Sequence, residues 1–530
     1  MSAPNIRKAL FFMAVAGLTF LPGVLAEESR AESPTSGRPN IIFLLTDDQR
    51  DGTFHAMGHP WVKTPNVDRL IQGGVRFANT YIAEPVCSPS RTSLLTGVHE
   101  RVHGVGFSSR HKLSDVQWAQ TYPALLREAG YFTGFIGKFG VEYYTFRGQA
   151  HKKFDFWRAH DGWAKFFVRT APNCKIYWDS EFDIITDVDG DSIQRFLEAA
   201  PKDQPFCLSV SFSVPHGSQT STMHGPFDMS VPANKNPKLK GNPFYDSLYR
   251  PLPSAIPEDT ATDAYRFIPK SVMDQDHGRK NCYIYDYTRP TCTEHHIRYY
   301  QQITALDKSI GDMMETLKRK GLDKNTVILF ASDHGLLMGE YGMGGKGLLY
   351  DLASKIPCFI HDPRLPEAKR GRTDTHLVSS LDITKTILDY AGISAPAFME
   401  GSSLRPLMTD ENAPWREELF LESLFTLRET PFQEGIRRGK WKYVRFFSVR
   451  APKPWRYLYH DAEVLEFVNR KPDLEQLFDL EQDPEEHRNL LAEYEGKPLL
   501  AELRAACRRR SNELNQKRNA YRKQFPPVSR

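Results

Sequence analysis

Carboxylates, an imidazole and a thiol recur in this sequence at the ends of apolar runs or at sharp turns, where side chains can converge. Asp47-Asp48 closes the run Pro39-Asn-Ile-Ile-Phe-Leu-Leu-Thr46, and Asp333-His334-Gly335 follows Val327-Ile-Leu-Phe330. Short uninterrupted apolar runs read as strands buried in a parallel sheet, and the C-terminal ends of such strands carry chemistry in open α/β sheets. A lone Asp-Asp pair is an ordinary surface turn. On the same sheet edge as Asp333 and His334 it becomes three carboxylates and an imidazole, a ligand set for a hard dication, Ca²⁺ before Mg²⁺. Cys87-Ser-Pro-Ser-Arg91, followed by Thr92-Ser-Leu-Leu-Thr-Gly97, has the form of a helix start that presents the cysteine at its N-terminus. Beside a cluster of carboxylates this thiol is expected to have a raised pKa and to be a poor nucleophile as it stands.

The elements that must position these residues alternate along the chain. Tyr122 to Ala129 reads as a helix before Gly130, and Phe132 to Ile136 as a strand. Ile193 to Ala200, Tyr299 to Lys320 and Asp382 to Tyr390 read as helices; Phe206 to Val214 and Thr326 to Ala331 read as strands. This β-α alternation predicts a large mixed, mostly parallel sheet flanked by helices on both faces. Periodicity fails from 217 to 298, a long surface insertion expected near the site. Past Pro414, short aromatic runs such as Lys440-Trp-Lys-Tyr-Val-Arg-Phe446 predict a smaller antiparallel sheet with a basic terminal helix. The organisation expected is a signal peptide over 1–26, a polar linker over 27–38, a catalytic domain over 39–414 and a C-terminal α+β subdomain over 415–530.

The chain has 530 residues, 40% hydrophobic, 12% aromatic and 25% charged, which excludes disorder and provides a sizeable core. Its 69 basic and 65 acidic residues are too balanced to argue for a nucleic-acid partner. Arg7 and Lys8, the apolar run from Ala9 to Leu25 and small residues at Val24 and Ala26 predict a secretory signal, so the product is exported (periplasmic, extracellular or lumenal) with no stable membrane span after cleavage. The seven cysteines show no zinc spacing; Cys282 and Cys292 are candidates to pair, and Cys87 is expected to be the odd one. The cluster Arg508-Arg509-Arg510 is read as a solvated helix face rather than a polyanion-binding tail.

Cys87-x-Pro89-Ser90-Arg91 with Leu95-Thr96-Gly97 resembles the signature of the type I, formylglycine-dependent sulfatases of the alkaline phosphatase-like superfamily. The resemblance continues in family order through Asp47-Asp48, Lys138, Pro215-His216, Ser332-Asp333-His334-Gly335 and Lys346, and covers nearly all of the mature chain. Leu477-Phe-Asp-Leu480, Asp483-Pro484 and Asn489-Leu490 resemble the motif that closes the family's C-terminal domain. The resemblance implies the alkaline phosphatase-like sulfatase fold and oxidation of Cys87 to formylglycine by a maturation enzyme. One hydroxyl of the hydrated aldehyde attacks sulfur while the S–O bond to the leaving alkoxide breaks; the other then collapses to the aldehyde and expels sulfate. The resemblance further implies that Asp47, Asp48, Asp333, His334 and the modified residue 87 hold Ca²⁺. Arg91, one helix turn on, would reach back to residue 87. Lys138 and Lys346 would receive sulfate oxygens, and His216 would protonate the leaving alkoxide.

Tyr245, Tyr249, Arg250, Tyr265 and Arg266 in the insertion suit sugar rings and anionic groups, which favours a sulfated polysaccharide or oligosaccharide as substrate. The Asp-His pair, where many relatives have Asp-Asn, resembles the branch that includes glycosaminoglycan 2-O-sulfatases, without fixing a sulfation position. One departure stands out. The family usually has a histidine two residues after the first lysine, where this chain has Gly140. His151, His160 and Glu142 lie near in sequence, and none is fixed as a replacement. Two alternatives follow: a phosphomonoester or phosphonate hydrolase of the same superfamily, disfavoured by Cys87 and a single-metal ligand set, and a catalytically degenerate protein that binds a sulfated glycan without cutting it.

Overall fold

The computed structural model describes residues 37–107, 109, 111–141, 149–162, 168–170, 172–216, 247–250, 263–273, 289–426, 430–448 and 470–529. The signal and most of the linker, Cys282, Tyr245, Glu142 and most of the insertion lie outside them. Eight strands form the large sheet: β1 (Asn40–Thr46), β2 (Val75–Tyr81), β3 (Phe132–Lys138), β4 (Phe156–His160), β5 (Phe206–Ser211), β6 (Thr326–Ser332), β7 (Cys358–His361) and β8 (Arg372–Ser379). Their order is β8-β2-β7-β6-β1-β5-β3-β4, and β7 alone runs antiparallel to its neighbours. All seven residues of β1 and of β6 are buried, because helices cover both faces.

Alternation along β1 divides the core. Ile42 and Leu44 face one side, packed with α1 (Pro65–Gln72), α4 (Ile185–Ala199) and α5 (Arg289–Arg319); Ile41, Phe43 and Leu45 face the other, packed with α2 (Cys87–Thr96), α3 (Tyr122–Glu128) and α6 (Ser380–Tyr390). The large mixed sheet expected from the alternating pattern is present. The sequence reading differs in detail: α4 starts at Ile185 rather than Ile193, and α5 starts at Arg289, inside the stretch read as loop. Buried polar side chains (Cys292, His295, His296, Arg298) line the early turns of α5, so no apolar stripe marks them. Tyr249 of the insertion is buried and donates to or accepts from Thr304 at 2.7 Å, whereas Tyr265 is half-buried and Arg266 exposed.

A second, wholly antiparallel sheet follows, in the order β9 (Glu418–Ser423), β10 (Phe432–Arg438), β11 (Trp441–Phe447) and β12 (Leu474–Asp479). The terminal helix α7 (Pro498–Gln524) packs Leu500, Leu503, Cys507 and Leu514 against Ile436, Tyr443 and Leu477 of that sheet. On its outer face Arg504 pairs with Glu475 at 2.8 Å, Arg509 with Glu418 at 2.7 Å and Arg510 with Glu513 at 2.5 Å, so these cations are already answered by acids.

A buried charge network joins the segment after α2 to the second sheet and the terminal helix. Arg101, on the short helix Glu100–His103 that follows α2, donates to Glu422 on β9 at 2.9 Å, to Glu434 on β10 and to Ser511 on α7 at 2.7 Å. Arg445 on β11 shares Glu434. Removing one partner of such a network leaves desolvated charge behind. Arg101→Met is therefore expected to lose about 3–5 kcal/mol of stability, read from the shift of the urea unfolding curve; a loss below about 1 kcal/mol would contradict the role given to this network.

Candidate active site

The C-terminal ends of β6, β1, β5 and β3 lie side by side, so whatever follows each strand meets the others. The register Thr46↔Ser332 sets Asp47 next to Asp333, whose N–H donates to the Thr46 carbonyl at 2.9 Å. Asp48 sits at φ 67°, a left-handed conformation uncommon for a residue with a side chain. It is held there by its own N–H, which donates to Asp333 Oδ1 at 3.2 Å, and by its carbonyl, which accepts from the Tyr299 hydroxyl at 2.7 Å. Cys87 is the first residue of α2, a helix in which all ten residues are buried, and Ser90 Oγ ties that helix to the Asp333 carbonyl at 2.6 Å.

Around the Cys87 sulfur stand Lys346 Nζ at 2.8 Å, His334 Nε2 at 3.3 Å and Asp47 Oδ1 at 3.7 Å. Lys346 also reaches Asp48 Oδ1 at 2.7 Å, Lys138 pairs with Asp47, and His216 Nε2 lies 3.8 Å from Asp48 Oδ2. The nine residues singled out from sequence are thus brought to one place. Arg91 also serves as a brace. Its guanidinium donates to Asp333 Oδ2 at 2.9 Å, to the Lys138 carbonyl at 3.0 Å and to Ser211, and lies 3.4 Å from Asp47, so it braces the acids and β3.

One ligand atom each from Asp47, Asp48, Cys87 and His334 lie within 4.8 Å of one another. Oxygen ligands stand about 2.3–2.6 Å from Ca²⁺, which puts opposite ligands about 5 Å apart, so this span suits a single ion. Asp333 stands beside the group with Oδ2 engaged by Arg91 and Oδ1 3.4 Å from His334. The carboxylate oxygens with one imidazole fit a hard dication, and the Cys87 sulfur would fit it only once replaced by oxygen.

Burial alone would raise all three carboxyls. Lys138, His216, Arg91 and Lys346 outweigh it at Asp47 and hold that group well below the usual carboxylate range; His216, Lys346 and His334 bring Asp48 down to about 2. Asp333 is pushed up to about 6 by burial and by Asp47, against the pull of His334 and Arg91. The Cys87 thiol departs from expectation. Burial and Asp47 raise it, but Lys138, Lys346 and His334 more than offset them, and its pKa falls well below that of an ordinary thiol. The carboxylates beside the thiol are outweighed by two ammonium groups that arrive from distant segments.

The loop carrying Lys346 is fixed from the second sheet. Gly347 offers its carbonyl to Ser423 Oγ at 2.9 Å and Gln433 Nε2 at 2.8 Å, while its N–H donates to the Pro85 carbonyl at 3.1 Å, two residues before Cys87. Ser423, Gln433, Ser211 and Tyr299 escape sequence reasoning, since single polar residues within strands and helices carry no local signal of what they will meet.

Residues 39–393 match the family described as Sulfatase, and residues 339–463 the family described as N-sulphoglucosamine sulphohydrolase, C-terminal. The chain is 26% identical to an N-acetylglucosamine-6-O-sulfatase of Bacteroides thetaiotaomicron, over 89% of this chain and 86% of that one. It is 28% identical to an arylsulfatase of Clostridium perfringens, over 88% and 93% respectively. Among solved structures, a protein in complex with its substrate D-glucosamine-2-N,6-O-disulfate aligns with a TM-score of 0.61 at 21% identity, over 92% of this chain and 98% of that one, a likeness of fold.

Gly140 has a physical reason to lack a side chain. Its φ is +62°, and a Cβ there would stand 2.8 Å from Arg91 Cδ and 3.3 Å from Lys138 Cε. Arg91 cannot swing away without releasing Asp333. Gly140→Ala is expected to cost about 1–3 kcal/mol, seen as a lowered thermal midpoint; an unchanged midpoint would show that Arg91 is free to move.

Proposed function

Starting from a chain that belongs to the sulfatase family and is a sulfuric ester hydrolase, we propose that it is an exported enzyme that releases sulfate from a sulfated polysaccharide or oligosaccharide. The observation that carries this reading is Cys87 at the buried start of α2, with Lys346, His334 and Asp47 within 3.7 Å of its sulfur. The sulfated sugar named for the Bacteroides relative supports a glycan substrate. Arg7, Lys8 and the apolar run behind them support export, and no described helix is long and apolar enough to cross a membrane.

Cys87, converted to formylglycine by a maturation enzyme, would supply one geminal hydroxyl as nucleophile and a second to release the bound sulfate. Asp47, Asp48, Asp333, His334 and the modified residue 87 would hold Ca²⁺, with Mg²⁺ the second choice; the ion supplies Lewis-acid polarisation of a sulfate oxygen.

The chain's own residues do the rest. Lys138 and Lys346 are 5% exposed each, so their ammonium groups act in a poorly solvated setting where they stabilise developing charge on the sulfate oxygens far more than in water. Each is also paired with a resident carboxylate, which fixes its direction before substrate arrives. Arg91 holds Asp333 and the end of β3 in register. His216, on the segment after β5 and partly open to solvent, gives its proton to the leaving alkoxide.

Cys87→Ala is expected to lower sulfate release by more than about 10⁴-fold, measured as free sulfate from a sulfated glycosaminoglycan oligosaccharide; near-wild-type turnover would overturn the nucleophile. Prolonged dialysis against a calcium chelator is expected to remove the activity and Ca²⁺ to restore it. Full activity in enzyme that metal analysis shows to be free of divalent ions would overturn the ligand assignment.

A further inference from the structure

β4 ends on His160, whose register partner on β3 is Lys138, so this imidazole is carried on the same sheet edge as the anion-holding cations. It is 3% exposed. Its Nδ1 lies 3.0 Å from the Tyr177 hydroxyl and its Nε2 lies 3.1 Å from Ser213 Oγ. Tyr177 donates its one hydroxyl proton to the Arg158 carbonyl at 3.1 Å, so the proton between ring and phenol belongs to His160 Nδ1. A neutral ring protonated at Nδ1 has Nε2 as an acceptor, and the Ser213 hydroxyl must donate to it. Burial, then the nearby Lys138 and Arg91, lower the His160 pKa to about 3, so the ring is neutral across the physiological range.

Ser213 begins the turn that delivers His216. Its carbonyl accepts the His216 N–H at 3.2 Å, and the next carbonyl, that of Val214, accepts the Asp47 N–H at 3.2 Å. The turn is therefore fastened by its side chain to β4 and by its backbone to β1. At the end of β3, Phe139 is packed in the core with Phe135 and Trp157, and Gly140 has no room for a side chain.

We propose that His160, acting through Ser213, is a positioning residue that holds His216 where it can protonate the leaving oxygen. The inference rests on the reading of His216 as the general acid. Tyr177 sets the tautomer, His160 presents an acceptor, and Ser213 transmits the position to the turn. A misplacement of a catalytic group by about 1 Å costs on the order of 10²-fold.

The test is the leaving-group dependence of kcat/KM for the mature enzyme, from 4-nitrophenyl sulfate to unsubstituted phenyl sulfate, whose phenol is about as basic as tyrosine at pKa about 10. Loss of proton delivery hurts only the poorer leaving group. His216→Ala sets the reference pattern. His160→Phe and the milder Ser213→Ala are expected to fall about 10²-fold on phenyl sulfate and less than about threefold on 4-nitrophenyl sulfate. His160→Gln, which keeps an acceptor for Ser213, is expected to recover most of the loss. Equal falls on both substrates, or no fall in either variant, would overturn the proposal and leave the pair a support of the fold. A His216→Ala variant whose loss ignores the leaving group would instead remove the assignment of His216, and the inference with it; the two failures look different in the same data.

Discussion

Three carboxylates, Asp47, Asp48 and Asp333, are each fully buried at the ends of two adjacent strands, and the rest of the structure answers that fact. Charges so placed cannot stay ionised without opposite charge and hydrogen bonds in the same low-dielectric space. The answer arrives from separate parts of the chain: Arg91 from α2, Lys138 from β3 and Lys346 from the loop after β6, with the His334 imidazole beside Asp333. Each cation must be delivered to within hydrogen-bond reach, so strand register and loop anchoring, more than local preference, decide whether the site exists. The same arrangement explains why an anionic ester would bind here. The ammonium groups are already desolvated and directed, so little reorganisation remains when a sulfate oxygen approaches.

The second sheet belongs to this arrangement rather than being appended to it. Ser423 and Gln433 hold the Gly347 carbonyl beside Lys346, and Arg101 joins the segment after α2 to β9, β10 and α7. The helix that presents Cys87 and the loop that presents Lys346 are thus fixed by one small antiparallel sheet. A chain cut before Glu418 would lose both anchors, although every residue of the charge cluster would remain.

The charge cluster is legible in the sequence because its members sit at the ends of uninterrupted apolar runs, and buried parallel strands leave that trace. Asp47-Asp48 and Asp333-His334 can be located this way, the Cys87 helix start is marked by its own motif, and the family resemblance adds Lys138, His216 and Lys346. β2, β4, β7 and β8 leave a weaker trace. Val75-Arg-Phe-Ala-Asn-Thr-Tyr81 is interrupted by polar residues, Arg372-Thr-Asp-Thr-His-Leu-Val-Ser379 is mostly polar at the margin of the sheet, and β7 is only four residues long. The thiol pKa is misread for a different reason. It depends on which charges lie closest in space, and two ammonium groups from distant segments are invisible to local reasoning. His160 likewise looks like any histidine near Lys138 until strand pairing places it opposite that residue.

Residue 87 is proposed to work as formylglycine, and the mass of the peptide containing it, from protein made in its native host, tests this most directly. The expected result is the formylglycine mass in most of the material, with activity scaling with the converted fraction. A wholly unmodified Cys87 in protein that still releases sulfate would contradict the account, because the charge cluster would then be serving a different nucleophile.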